Sequence, residues 1–148
     1  MASLASGRKP QITQINRCNF MTNKDDGFLY KDLTYKIIGI AMEIHRELQS
    51  GFLEAVYEEV MSKELKKAKI PFKNQVKVDI YYKEEKLDKQ YQADFIIDKK
   101  VLVELKGISK ITDIERTQVI NYLKATGLKV GLIINFGGKS LEWERVVY

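Results

Sequence analysis

The chain has 148 residues, of which 45% are hydrophobic and 30% charged, so it is long enough for one domain with an apolar core. A single cysteine, Cys18, excludes an intrachain disulfide and a metal site built from several thiolates. No apolar run approaches the roughly 18 residues of a membrane span, and the N-terminus lacks the apolar segment of a secretory signal. These features predict a cytoplasmic protein without a membrane partner.

The net charge of +5 is only weak support for a nucleic-acid partner, because part of it lies in one segment. The first twenty residues hold Arg8, Lys9 and Arg17 and no acidic residue. Subtracting these three from 25 basic residues leaves 22 against 20 acidic residues, a net charge of +2. Affinity for nucleic acid would therefore depend on local clusters. One cluster is either a solvated face or a phosphate contact patch, and it comprises Lys63, Lys66, Lys67 and Lys69.

Residues 1–28 show no periodic apolar pattern, which predicts a poorly ordered tail before a single domain at residues 29–148. Apolar residues at spacings of three and four then predict three helices, at residues 32–48, 53–69 and 112–126. Gly51 separates the first two helices, and Gly127 ends the third. Thr112 and Glu115 fit a capping box at the start of the third helix.

Alternating or continuous apolar residues predict five strands, at residues 75–82, 90–97, 101–105, 130–136 and 143–147. Residues 83–89 are predicted to form a charged turn, and residues 98–100 a tight connection. The third strand is apolar on both faces apart from one charge, as expected of a central strand, and the last is predicted at an edge. The order α-α-β-β-β-α-β-β predicts an α/β fold, with a mixed sheet flanked by helices.

The central strand carries an unexpected charge pair, Glu104 and Lys106. Residues two apart in a strand share a face, so these two side chains point the same way among apolar neighbours. A buried carboxylate without a partner costs several kcal/mol, roughly 3–5 when a pair is broken, which a purely structural role does not require. The alternative is an ion pair exposed to solvent at the end of the strand.

Asp94 is the second charge in an apolar strand. A tight connection at residues 98–100 makes the second and third strands a hairpin, and pairing about Lys99 places Asp94 opposite Glu104. Opposed side chains share a face, with Cβ atoms roughly 4.5–5.5 Å apart. Two carboxylates so placed repel unless a cation lies between them, and hard divalent cations prefer oxygen ligands. The alternative is a surface acid near a turn.

This spacing resembles the signature of the PD-(D/E)XK nuclease superfamily, with Ala93–Asp94 as the first half and Glu104–Leu105–Lys106 as the second, although the proline is missing. A longer motif, Gly51 to Tyr57, matches the G-x-x-E-x-x-Y of the GxxExxY proteins, a branch of that superfamily. Other stretches that are similar to this family are Ile44–His45, Tyr81–Tyr82, Gln118–Tyr122–Leu123 and Gly131–Phe136.

The resemblance implies a restriction-endonuclease-like fold and an Mg²⁺- or Mn²⁺-dependent endo- or exonuclease acting on DNA or RNA. It implies that Asp94 and Glu104 bind the metal, and that an acid of the helical region, here Glu54, completes the ligands. Lys106 would orient the attacking water or stabilise phosphate charge. Gln118, on the sheet-facing side of the third helix, would support the lysine or the water.

Three further residues are candidates for site support, namely Tyr57, Tyr122 and His45. Tyr57 shares a helix face with Glu54, so it either bonds a ligand or packs in the core. His45 is the only histidine, and a lone helical histidine is more often a packing or capping residue. Nucleases of this class often pair as homodimers, but no interface stands out in the sequence. The alternative function is a non-catalytic module that binds nucleic acid or protein and keeps the fold.

Overall fold

The structure is a computed structural model that describes residues 11–13 and 28–148. The helices are α1 (Lys31–Leu48), α2 (Glu54–Lys67) and α3 (Asp113–Thr126). The strands are β1 (Gln11–Thr13), β2 (Phe72–Tyr82), β3 (Glu85–Ile97), β4 (Val101–Lys106), β5 (Val130–Asn135) and β6 (Glu142–Val147). From residue 28 onwards the element order is the predicted α-α-β-β-β-α-β-β.

The six strands form one mixed sheet in the order β1-β6-β5-β4-β3-β2. Strands β4 and β5 are parallel and connected through α3, whereas all other neighbours are antiparallel. The α/β class is therefore confirmed. The prediction that β6 is an edge strand is wrong, because Gln11–Thr13 pairs with it on its outer side. This short strand lies within the predicted tail, and the rest of that tail, residues 1–10 and 14–27, lies outside the described residues.

Helices pack on both faces of the sheet and give two apolar cores. Helices α1 and α2 cover one face, where their buried side chains meet Phe95, Val103 and Leu132. Helix α3 covers the other face, where it packs against Leu102 and Ile133. Each fully buried side chain of this size contributes about 1.5–3 kcal/mol of transfer free energy. The central position predicted for β4 is confirmed, since residues 101–105 are buried between β3 and β5.

The prediction of a charged turn at residues 83–89 is wrong. The turn consists of Lys83 and Glu84 alone, with φ of 46° and 70°, as in tight hairpins whose central residues both have positive φ. Strand β3 begins at Glu85, and residues 81–90 are exposed on both sides of this hairpin arm. Because neither face of the arm packs against a core, its sequence lacks the alternation by which half-buried strands are recognised.

The predicted ends of α3 agree with the backbone geometry. Thr112 and Glu115 form the capping box, and Gly127 takes the left-handed conformation, with φ of 75°, after α3. Gly51 has φ of 114°, which favours glycine between α1 and α2. Helix α2 ends at Lys67, two residues earlier than predicted. None of the described helices is both long and apolar enough to cross a membrane.

Candidate active site

The hairpin of β3 and β4 brings the two predicted acids together. Phe95 pairs with Val103, and Ile97 with Val101, so the register is centred on Lys99 as predicted. One step further along this register places Asp94 opposite Glu104. The regular pairing stops at Phe95, and the acidic side chains themselves bridge the two strands beyond it.

Each of these carboxylates accepts a hydrogen bond from the backbone of the opposite strand. The backbone N–H of Asp94 donates to Oε1 of Glu104 at 3.1 Å, and that of Leu105 donates to Oδ2 of Asp94 at 2.7 Å. Glu104 is 4% exposed, whereas Asp94 is half-buried. The predicted burial of the Glu104 carboxyl group is therefore confirmed, and the solvent-exposed ion pair is not observed.

Burial and neighbouring negative charges make both groups hard to ionise. Burial first, and then the charge of Asp94, raise the pKa of Glu104 from its ordinary 4.5 to about 8, against the opposing effects of the Asp94 N–H and Lys106. The pKa of Asp94 is also raised, first by burial and then by the charges of two glutamates of α2, although its bond from the Leu105 N–H lowers it. A cation between the two groups would remove this penalty.

Glu54 reaches the same region from the first turn of α2. Its Oε1 accepts the backbone N–H of Gly107 at 3.1 Å, one residue beyond Lys106, and its charge raises the pKa of Asp94. Helix α2 thus presents a third carboxylate at the end of β4. The structure therefore brings the three predicted metal ligands, Glu54, Asp94 and Glu104, to one end of the β3–β4 hairpin.

A fourth carboxylate, Glu58, was missed in the sequence analysis. It lies one turn after Glu54, and both its carboxylate oxygens accept hydrogen bonds from Nε2 of Gln75, each at 2.7 Å. The same Nε2 lies 3.4 Å from Oδ1 of Asp94, so Gln75 connects the two acids. The spacing of four from Glu54 was a usable signal, because residues four apart share a helix face. Gln75, with its positive φ of 49° in the edge strand, gave no such signal.

Lys106 is held in place by α3, the helix on the sheet face opposite α1 and α2. Its Nζ donates to Oε1 of Gln118 at 2.8 Å, and Nε2 of Gln118 donates to the Tyr122 hydroxyl at 3.2 Å. Burial and the charge of Glu104 raise the pKa of Tyr122, which places this hydroxyl near the acidic pair. Helix α3 therefore contributes two of the predicted residues, Gln118 and Tyr122, to a series of hydrogen bonds that starts at the Lys106 ammonium group.

The side chain of Tyr57 serves the loop before α2 and does not bond a carboxylate. It is 1% exposed, its hydroxyl donates to the Gln49 carbonyl at 2.6 Å, and it accepts the Phe52 N–H at 3.3 Å. Its ring stacks on Phe136 at 4.3 Å. In the G-x-x-E-x-x-Y motif, Gly51 thus permits the turn and the tyrosine fixes it. The motif glutamate then stands at a defined place beside β4.

His45 also packs away from the carboxylates. It is 5% exposed, its Nε2 lies 2.9 Å from the Gly138 carbonyl, and its ring is 6.2 Å from that of Phe136. The histidine thereby ties α1 to the connection between β5 and β6. Of the three predicted supporting residues, only Tyr122 is connected to the site, through its hydrogen bond from Gln118, which in turn accepts from Lys106.

The segment that follows Lys106 is fixed by buried polar contacts. The amide of Asn135, 1% exposed, accepts the Ile108 N–H at 3.0 Å and donates to the Ile108 carbonyl at 2.9 Å. A Cβ atom at Gly137 would overlap the backbone of Ile108, so only glycine fits there. Oε1 of Glu142 accepts the Ile111 N–H at 2.6 Å. These contacts hold the connection from β4 to α3, and with it the Gly107 N–H.

The donor set suits a hard divalent cation, but its groups are engaged with the protein. Within residues 11–13 and 28–148, no three acid, histidine or cysteine side chains stand ready to hold a metal ion. Glu54, Asp94 and Glu104 each accept a backbone N–H. Carboxylate oxygens are nevertheless the ligands that Mg²⁺ and Mn²⁺ prefer, and the buried pair needs a positive charge.

A mixed sheet with helices on both faces, an opposed Asp–Glu pair and a lysine two residues on define a restriction-endonuclease-like α/β domain. The model of the PD-(D/E)XK nuclease superfamily matches residues 31–146, and the chain belongs to this superfamily. A solved protein described as SSO0001 has a similar fold, with a TM-score of 0.52 at 15% sequence identity. That similarity covers 80% of this chain and 57% of the SSO0001 chain. None of the curated proteins matches the chain.

Proposed function

We propose that this domain is a divalent-metal-dependent nuclease that hydrolyses phosphodiester bonds in DNA or RNA. The carrying observation is the neighbouring pair of Asp94, which is half-buried, and Glu104, which is buried. Each carboxylate accepts a backbone N–H from the opposite strand, and Lys106 lies two residues after Glu104. Membership of the nuclease superfamily supports this proposal.

Asp94 and Glu104 would hold the cation, Mg²⁺ or Mn²⁺, and Glu54 would complete the protein ligands. When bound, the cation would supply charge neutralisation at the phosphate and activation of the attacking water. Glu58, linked to Asp94 through Gln75, keeps the first acid oriented from the side of α2.

Lys106 supplies a fixed positive charge beside the acids. The bond from its Nζ to Gln118 holds the ammonium group, and two of its three N–H groups are left to contact water or a phosphate oxygen. Tyr122 fixes the amide of Gln118 in turn. The lysine therefore orients the attacking water and stabilises charge that develops on the phosphate. Gln118 and Tyr122 affect the reaction only by positioning Lys106.

We further propose that the domain belongs to the GxxExxY branch. The contacts of its motif support this placement, because each of the three named residues has a separate part in positioning one carboxylate. Gly51 has the positive φ of the turn before α2, and the Tyr57 hydroxyl bonds the backbone of Gln49 before this glycine and of Phe52 after it. Glu54 accepts the Gly107 N–H.

The test is cleavage of labelled single- and double-stranded DNA and RNA in Mg²⁺ and in Mn²⁺, with Lys106→Ala beside the wild type. We expect the wild type to cut at least one substrate, and the variant to lose about 10²–10³-fold in rate, as for removal of one charge-stabilising donor. Circular dichroism verifies the fold of each variant. Lys36→Ala, at an exposed position of α1, is the control with the same loss of charge.

Cleavage that survives Lys106→Ala refutes the assigned site. A wild type that binds nucleic acid but cuts none of the four substrates favours the non-catalytic binding module. A rate that falls equally in Lys36→Ala indicates a general effect of charge and contradicts the role of the lysine.

A further inference from the structure

A surface cavity lies between the C-terminal end of α2 and the start of β2, near the candidate active site. It has a volume of about 510 Å³, and its polar lining consists of Ser62, Lys66, Lys69 and Asn74. The apolar residues 70–72 form the remainder of its wall. The Ser62 hydroxyl donates to the Glu58 carbonyl at 3.0 Å, which leaves two cations and an amide around one cavity. Such a set is suited to an anionic ligand.

The two lysines of this cavity are not neutralised by the protein. Among the ion pairs and hydrogen bonds of residues 28–148, none involves the ammonium group of Lys66 or Lys69. By contrast, Lys67 on the same helix end pairs with Glu64 at 3.4 Å. Lys66 and Lys69 are both exposed, so they attract an external anion without breaking an internal contact.

The cavity is connected to the acidic pair by a continuous row of polar residues. On α2, Glu58, Ser62 and Lys66 follow one another at spacings of four, so they lie along one helix face. On β2, Asn74 in the cavity precedes Gln75, whose amide bonds Glu58 and lies 3.4 Å from Asp94. The row therefore leads from the acids to the lysines across the surface where α2 meets β2.

The length of this row matches a nucleic-acid strand. Eight residues separate Glu58 from Lys66, which is about 12 Å along a helix axis. One strand of a duplex advances about 3.4 Å per nucleotide along its axis, so a strand that follows this row passes about three to four nucleotides between Glu58 and Lys66. The acidic end of the row would repel phosphates without a cation, whereas the basic end attracts them directly.

We infer that the cavity lined by Ser62, Lys66, Lys69 and Asn74 binds backbone phosphates of the substrate strand on one side of the cleavage point. This inference rests on the proposed nuclease function for its position relative to the cut. The lysine charges hold the phosphates, and the Asn74 amide donates to a phosphate oxygen.

The experiment measures binding by fluorescence anisotropy in EDTA, which stops cleavage, with labelled DNA and RNA as probes. The variant is Lys66→Gln/Lys69→Gln, and the matched control is Lys63→Gln/Lys67→Gln, which removes two charges from the same helix end outside the cavity. We expect about tenfold weaker binding in the first variant only. The slope of log affinity against log salt should fall by about 1.4 for a single strand and 1.8 for a duplex.

A second readout uses substrate length. Substrates that end less than about three nucleotides from the cut on the cavity side cannot reach the lysines. With these substrates the Lys66→Gln/Lys69→Gln variant should cleave like the wild type, whereas with long substrates its KM should rise and kcat should change little.

Equal losses in both double variants, or no loss in either, would overturn the inference. The inference would also be overturned if Lys66→Gln/Lys69→Gln raised the KM equally for short and long substrates. If the wild type binds with the expected difference between variants but does not cleave, the phosphate site stands and the nuclease proposal fails. If the wild type cleaves and the two double variants bind alike, the nuclease proposal stands and the phosphate site fails.

Discussion

Replacement of Glu104 by glutamine should make the metal-free protein more stable at alkaline pH. The amide keeps an oxygen to accept the Asp94 N–H, and its NH₂ group faces the Asp94 carboxylate as a donor. The substitution therefore removes the buried negative charge but keeps the shape and the hydrogen bond. A carboxylate that only stabilised the fold would give the opposite result.

The magnitude and sign follow from the pKa of Glu104, which is raised to about 8 from 4.5. Between these two pH values the folded protein keeps a proton that the unfolded chain has released. Stability therefore falls as pH rises through this window, and the loss is complete above pH 8. A difference of about 3.5 pH units corresponds to about 4–5 kcal/mol. Glu104→Gln should recover most of this at pH 8 and almost nothing at pH 4.5.

The assay is urea denaturation in EDTA at several values from pH 4.5 to pH 8.5, with Glu59→Gln on the exposed face of α2 as the control. Addition of Mg²⁺ or Mn²⁺ at pH 8 should stabilise the wild type, by about 2.7 kcal/mol at one hundred times its dissociation constant. The glutamine variant should respond much less. A wild type and a Glu104→Gln variant with parallel pH profiles would refute the assignment of a destabilising buried charge.

Two further predictions concern the framework of the site. Tyr57→Phe removes the bonds to Gln49 and Phe52 while the stacking on Phe136 remains, so urea denaturation should show a loss of about 1–2 kcal/mol. Glu144→Ala leaves the guanidinium of Arg116 without its two 2.6 Å bonds, so its free energy of unfolding should fall by about 3 kcal/mol.

The controls for these two variants lie on the surface. Tyr82→Phe, at a ring that is 62% exposed, should change stability by less than about 0.5 kcal/mol. Asp113→Ala breaks an ion pair whose acid is 93% exposed, and should cost less than about 1 kcal/mol. A Tyr57→Phe variant as stable as the wild type would contradict the role given to the hydroxyl. A cost at Asp113 equal to that at Glu144 would contradict the importance of burial.

The acidic pair could be predicted from the sequence because it depends on local geometry. A short connection centred on Lys99 fixes the register of one hairpin, and the two-residue period of a strand then fixes which side chains share a face. The same applies to the capping box at Thr112, whose two bonds join residues three apart. These features involve neighbours in the chain or across a single turn.

Contacts between distant elements were decided only by the tertiary structure. Gln75 meets Glu58 because β2 packs beside α2, and its strand pattern carries no sign of that neighbour. The sequence left open whether Tyr57 bonds a ligand or packs in the core. The ring packs on Phe136, and its hydroxyl bonds the loop before α2 instead of the acids. Local periodicity therefore determined which residues could form the site. Packing of helices against the sheet determined which of them meet, since it brings together groups with no relation in sequence.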